Sequence, residues 1–594
     1  MNTLCAKANL SFEGEVNGVK VRTAFALFSE SVHERTIEEY AEICGVPVHE
    51  IERIAKEFTS HGTKSSARLM GGSACVTGVD STLAFRMLNT LIGSDEMVGG
   101  CGPSNMGATT TGDGKRYKLS TVDGAPKVKG QCIARNNKVW EKTNEYANRV
   151  AAGEKDPKPK LPWFTVGSSA DSQALPSIVN QYPYQAKILF NFMRTSLECV
   201  PGALRDSVID RLKDPAVVPL YISCDVVIGE DTQLADYVVP DTNPYESFGT
   251  LNMEGWVGYG DAVRWPVKEP GSMKLDDDRY ACIESFVVDV AKACDVPGFG
   301  ENAIKDAEGK TYPLNSAADF FVKALANLAY DGTPVADVEA EDIRLQALDT
   351  LPASWKAAVK DEEWPKVLNV MSRGGRFHPI AEAVGEEGRN AYVKRDSTSP
   401  LESLLYSEVR ATRQNNYDGS YSSGTLSYTP QAFADKRLFT DVYSEDEFPF
   451  VSTNYKPRFR SISMLANSPL IRDISHHNFI EINDEDAAGM GIADGDMVNV
   501  TNPTGDVMHG EAWVRAGVAK NTFAVAFGYG HRAYGAQDVE IDGQLTKGNP
   551  DIGAGIHLQT MLDPTLGDDV IYAINDNDSG TPGRSGGMYK IEKA

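Results

Sequence analysis

An α/β body built on a parallel sheet, followed by a strand-rich C-terminal domain, is the fold class this sequence predicts. Three observations carry that expectation. The apolar runs KILFNFM and VVPLYIS are joined by the helix-length segment ALRDSVIDRL, which suits a βαβ unit with parallel strands. From Phe450 onward, alternating apolar and polar residues flank one short helix bounded by tight turns. A chain of 594 residues also exceeds what one core can organise, which sets a prior of about three to four domains.

Taken in order, a hairpin-like opening precedes two helical patterns, over 36–43 and 48–58. In the second, Ile51, Ile54, Ala55 and Phe58 share one face, and Gly62 stops the helix. The block ARLMGGSACVTGVDSTLAFRMLNTLIG reads as strand, glycine-rich turn and helix. Asp80 or Ser81 is its expected cap, with Phe85, Leu88 and Leu91 as the apolar stripe. Residues 101–182 are polar and weakly periodic, which predicts a surface excursion carrying one helix near 146–152. The stretch 276–361 reads as helical, acidic and linker-like, and 371–441 as irregular docking surface. In the last quarter Ile480 and Ile482 suit a half-buried strand. Asp484 can cap a helix over EDAAGM, Gly491 can end it, and Asp494-Gly495-Asp496 and Thr504-Gly505 make turns. The expected units are therefore 1–65, 66–300 with an insertion at 101–182, 301–430, and 431–594.

Composition narrows the function. Hydrophobic residues make up 41% and charged residues 24%, ordinary for a globular chain. The formal charge of −25 argues against nucleic acid or an anionic membrane surface, because both require basic surface. An anionic ligand must then be held locally, by helix N-termini, glycine-lined amides and a few Arg or Lys. The nine cysteines form no C-x-x-C pair, so neither a zinc site, an iron–sulfur site nor a disulfide framework is expected. No run approaches the ~18 apolar residues a membrane span needs, and the N-terminal stretch lacks the layout of a signal peptide.

Several positions could carry chemistry. Gly71 and Gly72, in a strand-to-helix turn, permit close backbone approach to a phosphate; a turn needing positive φ explains them equally. Asp225 ends a strand, where ligands bind in open α/β sheets, and Glu230 and Thr232 follow it; capping the next turn is the other reading of Asp225. Lys456, Arg458 and Ser463 follow a strand end and could pair with a pyrophosphate, or form a solvated tip. His476 and Asn478 could donate to a ligand or satisfy local backbone. Adjacent His476 and His477 point apart in a strand and suit no single metal ion. Gly528 and His531 in FGYGHRAYGA carry the same two readings.

In this order the motifs resemble the molybdopterin oxidoreductase family, and are similar to the large catalytic subunits of tetrathionate and respiratory arsenate reductases. The likeness runs through EYAEICGVPVHEIERIAKEFTSHG, FRMLNTLIG, GKRYKLSTVDGAPKVKG, NQYPYQAKILF, ADYVVPDTNPYES, RWPVKEP and SRGGRF. It implies a six-stranded, double-psi-like barrel closing over a bis-molybdopterin guanine dinucleotide carrying molybdenum. Its contacts would come from Gly71, Gly72, Asp225, Glu230, Thr232, Lys456, Ser463, His476, Asn478, Gly528 and His531. The implied reaction is reduction of tetrathionate to thiosulfate, with arsenate or another oxyanion as the alternative substrate. A non-catalytic cofactor-binding fragment needing a separate N-terminal chain is the reading of another class. The implied partners are a membrane anchor and an iron–sulfur electron-transfer subunit. The implied setting is the periplasmic face of the membrane. Two departures stand out. The family's cysteine-rich segment for a 4Fe-4S cluster and its metal-ligand region precede the first matching block, so no catalytic residue and no metal ligand is nominated. Thr195-Ser196 also stands where relatives have Asn-Pro.

Overall fold

The computed structural model describes residues 9–69, 74–101, 105–107, 112–125, 130–136, 139–164, 166, 171–254, 259–385, 388, 405–417, 419–567 and 570–594. Near the N-terminus, helices Ile37–Cys44 and Val48–Ser60 form as expected, the first with a Thr36/Glu39 capping box. The apolar face of the second is not buried: Ile54 is 55% exposed. Helix α1 (Gly78–Ile92) follows, but neither Asp80 nor Ser81 caps it. The N-cap is Thr77, without a side-chain bond. Its large buried apolar residues are Leu83 and Met87, while Leu88 and Leu91 face outward, so the expected stripe is displaced around the helix. Asp80 is instead drawn into an ion pair with Arg410.

The predicted βαβ unit is present. Strands β1 (Leu189–Phe192), β2 (Tyr221–Asp225) and β3 (Tyr237–Pro240) lie parallel in that order, with Phe192 opposite Cys224 and Asp225 opposite Pro240. Helix α2 (Arg205–Lys213) crosses between β1 and β2, and its Val208 and Leu212 pack with Leu175, Ile178, Leu197 and Tyr221. Helix α3 (Ile283–Ala293) lies on the other face, where Phe286 stacks on Phe190.

Two stretches differ from expectation. The polar excursion carries its helix at Asn144–Ala151, but it also buries Trp140, Leu161, Trp163 and Phe164 around the fully buried Arg135. Its apolar residues are too sparse to show a period, yet they cluster once the chain folds back. The acidic region, expected to be linker-like, contributes to the largest core among the described residues. Antiparallel strands Gly300–Asp306 and Thr311–Leu314 and helices Ala317–Ala329 and Trp364–Ser372 enclose Tyr117, Phe248, Leu325, Val367 and Met371.

The C-terminal unit is a closed barrel. Its strands are β4 (Phe450–Tyr455), β5 (Ile480–Ile482), β6 (Met497–Thr501), β7 (Val507–Val514), β8 (Thr522–Ala526) and β9 (Gly586–Lys593), ordered β4-β8-β5-β7-β6-β9. The pairs β4/β8 and β5/β7 are parallel and the others antiparallel. Val498, Val500, Met508, Ala512, Phe523 and Ile591 point inward at the two-residue period of a strand. Helix α4 (Asp484–Met490) is capped by Asn483, not Asp484: its Oδ1 accepts from Glu485 N at 2.9 Å and Asp486 N at 3.3 Å. Gly491 ends it in the left-handed conformation, as predicted. Ile480, Glu481 and Ile482 are all buried, so β5 is not half-exposed: Arg515 and Tyr455 cover its outward Glu481.

Candidate functional site at the junction of sheet and barrel

The barrel loops rest on the C-terminal edge of the parallel strands, and a small set of bonds fixes the contact. Beyond β2 the chain turns so that Glu230 is fully buried. Its Oε1 pairs with His531 Nδ1 at 3.1 Å and accepts from the amides of Arg532 at 2.8 Å and Ala533 at 3.1 Å. The other ring nitrogen of His531 shares a 2.8 Å hydrogen bond with Ser463. Three segments distant in sequence thus meet on one imidazole. Burial raises the Glu230 carboxyl, but His531 and the Ala533 amide outweigh it and hold the carboxyl at about 2.

Neighbouring groups extend the junction. Asp231 accepts from the amides of Ser196 at 2.6 Å and Leu197 at 2.8 Å, which shapes the turn after β1, and burial lifts its carboxyl to about 7. Thr195 shares a 2.9 Å bond with Tyr534, whose amide donates to Ile228 O. Glu198 accepts from Arg532 at 2.8 Å, and its carbonyl meets His557 Nε2 at 2.7 Å. Arg205 reaches Gln559 at 3.0 Å.

Of the predicted site residues, Glu230, Ser463 and His531 are brought together in one bonded set. Thr232 lies under it, buried and bonded to Ser223 at 3.0 Å. Gly528 belongs to the same corner: Arg460, stacked 3.6 Å from the Tyr529 ring centroid, donates to its carbonyl. A Cβ on Gly528 would press against the Ile462 carbonyl and stand 2.9 Å from Ser463 N, and its φ is +87°. Gly528→Ala is therefore expected to cost about 2 kcal/mol or more and to lower the unfolding temperature of the barrel; an unchanged melting curve would contradict this packing. Asp225 sits at the strand end, half-buried, its carboxyl raised by burial despite the Val226 amide. Asn478 is buried in the barrel, donating to Ala526 O at 2.6 Å and Ile556 O at 2.9 Å and accepting from Ile556 N at 2.8 Å. Lys456 and His476 are exposed and are not joined to this set. Gly71 and Gly72 lie outside the described residues.

Sequence reading missed Glu198, Arg205, Asp231, Tyr534 and His557. Arg532 and Tyr534 follow His531 in one short motif and could have been found there; Arg205 and His557 carry no local signal. Two buried polar atoms at the junction lack a protein partner, Glu230 Oε2 and Arg205 Nε. One accepts and the other donates, so a guest bearing both N–H groups and phosphate oxygens complements them. Among the described residues, no cluster of three or more His, Cys, Asp or Glu could hold a metal ion.

The barrel residues 450–551 match a family model described as "Molydopterin dinucleotide binding domain", and the relatives that match along nearly the whole chain are molybdopterin-dependent oxidoreductases. Among them, a tetrathionate reductase subunit of Salmonella typhimurium is 32% identical over 97% of this chain and 56% of that protein. It is 28% identical to a selenate reductase subunit of Mesobacillus selenatarsenatis, over 93% of this chain and 54% of that one. An arsenate respiratory reductase molybdopterin-containing subunit of Chrysiogenes arsenatis is 23% identical, over 95% and 62%. The chain thus spans little more than half the length of these relatives. In fold it is similar to acetylene hydratase from Pelobacter acetylenicus, with a TM-score of 0.54 at 15% identity, covering 96% of this chain and 66% of that one.

Proposed function

We propose that this chain is the barrel-bearing portion of a molybdenum-dependent reductase that binds bis-molybdopterin guanine dinucleotide and converts tetrathionate to two thiosulfates. The carrying observation is the closed barrel, matched to a dinucleotide-binding family, latched onto the C-terminal edge of a parallel sheet. Substrate preference rests on the 32% identity to a tetrathionate reductase subunit; selenate and arsenate are the second reading, supported by the other relatives.

When bound, the cofactor supplies two-electron transfer at its metal. Cleaving the S–S bond of tetrathionate with two electrons gives two thiosulfate anions and needs no proton. In this reading the chain's residues bind and orient. Asp225 accepts from a guanine edge, Lys456 and Arg458 meet the pyrophosphate, and His476 donates to a pterin ring. Glu230, Thr232, Ser463, Asn478, Gly528 and His531 hold the rim around them, and Gly71 and Gly72 admit phosphate or pterin. The 4Fe-4S cluster belongs to the portion that the chain does not span. A membrane anchor, an iron–sulfur electron-transfer partner and a periplasmic setting complete the proposal; among the described residues no helix is long and apolar enough to cross a membrane.

The chain purified alone, and again after co-expression with that portion, is assayed for molybdenum, acid-released GMP and oxidised pterin. All three are expected after co-expression, and Asp225→Leu should lower the GMP recovered. Their absence in both preparations would end the proposal. Rates with tetrathionate, selenate and arsenate against a reduced viologen then rank the substrates.

A further inference from the structure

A cavity of about 710 Å³ lies between the start of α3 and the helical core, and it shares no residue with the junction of sheet and barrel. That volume is within the range of small-molecule sites, about 300–1,000 Å³. Its apolar lining is aromatic: Phe248 and Trp355 pack at 4.9 Å between ring centroids, and Trp265 joins them. Glu246 sets its polarity. The Glu246 side chain is 6% exposed, and its Oε2 accepts from Asn243 N at 3.2 Å. Oε1 meets only the Lys268 ammonium, 3.6 Å away and 70% exposed, which makes a weak pair. A carboxylate oxygen this sheltered, beside aromatic rings, is left short of a donor.

We propose that this cavity is a second binding site, for an organic cation whose ammonium group pairs with Glu246 Oε1 and whose flat apolar body lies against Phe248, Trp265 and Trp355. Charge selects that guest. Four carboxylates line the cavity, Glu246, Glu269, Asp278 and Glu284, against the two cations Lys268 and Arg279. Arg279 is already spent on Asp277 and Asp289. The starts of α3 and of the helix Ala317–Ala329 also open here and would favour an anion, but their first amides are taken. Asp241 accepts from Ile283 N at 3.0 Å, and Asp319 accepts from Ser316 N at 2.9 Å. A sulfur or selenium oxyanion would meet the excess of carboxylates, so this is not a second position for the substrate. A metal ion is not the guest either, since no cluster of three or more ligating side chains exists among the described residues. The site depends on neither the cofactor nor the reaction proposed above.

Isothermal titration calorimetry of the whole chain with benzyltrimethylammonium tests the site, with benzyl alcohol and benzenesulfonate as the neutral and anionic comparators. The cation should bind one-to-one with a Kd below about 1 mM, and each comparator at least tenfold more weakly. Glu246→Gln keeps the side chain's shape and should weaken the cation at least fivefold. Lys268→Ala removes the competing ammonium and should tighten it about threefold; this side chain is largely exposed, so the variant folds. No saturable binding, or equal binding of the sulfonate or the alcohol, would overturn the proposal. Binding that neither variant changes would place the cation on the acidic surface at large and overturn it equally.

Discussion

Glu230→Leu is expected to unlatch the barrel from the α/β body, costing about 3–5 kcal/mol at neutral pH. The side chain is fully buried and gathers His531 and two backbone amides on one oxygen. Removing it leaves those donors without an acceptor and the imidazole without its partner. Differential scanning calorimetry should show a lower melting temperature, with the barrel and body melting as separate transitions. The pH dependence has a definite sign. The folded carboxyl is lowered from 4.5 to about 2, so its contribution, about 3 kcal/mol, is present above the unfolded value and is lost as pH falls from 4.5 toward 2. The wild-type chain should lose this stability across that window, and Glu230→Leu should not. Matching acid profiles for the two would show that the carboxylate is not the latch.

Arg410→Met is the second large effect, expected at about 3–5 kcal/mol. Arg410 is 5% exposed and joins three segments: Nη1 and Nη2 meet Asp80 at 3.0 and 3.2 Å, and Nε meets Asp578 at 2.8 Å. Without it, two carboxylates remain at a mostly buried site with no cation between them. Burial already raises the Asp80 carboxyl, against the pull of Arg410. Deleting the guanidinium removes that pull and raises the carboxyl further. A folded carboxyl that binds its proton more tightly than the unfolded one gains stability as pH falls, so the variant's deficit should shrink from pH 7 to pH 5. Adding Asp80→Asn and Asp578→Asn to Arg410→Met should recover part of the loss in urea unfolding. No recovery, or a deficit constant with pH, would show that packing of the arginine stem and not charge is what counts.

The α/β body and the strands of the C-terminal domain were legible because both rest on short-range periods, whereas closure into a six-stranded barrel was implied by the family resemblance. The alternation through Val498, Val500, Met508 and Ala512, and the apolar runs around Leu189 and Tyr221, lie within single strands. Turn chemistry was equally local at Gly491, Gly495 and Gly505. Errors arose where a neighbour in space decided the outcome. Asp80 has the chemistry of a cap but lies opposite Arg410, and Asn483 stands one residue ahead of Asp484 and accepts from both Glu485 N and Asp486 N. The core around Leu325 and Val367 escaped notice because acidic surface residues dilute its apolar ones along the chain. Phe248 and Tyr117 join it from far upstream.

The same division holds for the candidate site. Sequence by itself identified the family motifs and singled out Asp225, Glu230, Ser463 and His531, since strand ends and glycine-rich loops announce themselves by residue type and order. It assigned each of them a ligand contact separately. Only the tertiary structure decided that Glu230, Ser463 and His531 bond to one another, that Asn478 spends its amide on barrel carbonyls, and that Glu198, Arg205 and His557 complete the junction. The reason is physical. A hydrogen bond between residues 230 and 531 has no local signature; it exists because folding brings two buried polar groups within reach, and each must find a partner there.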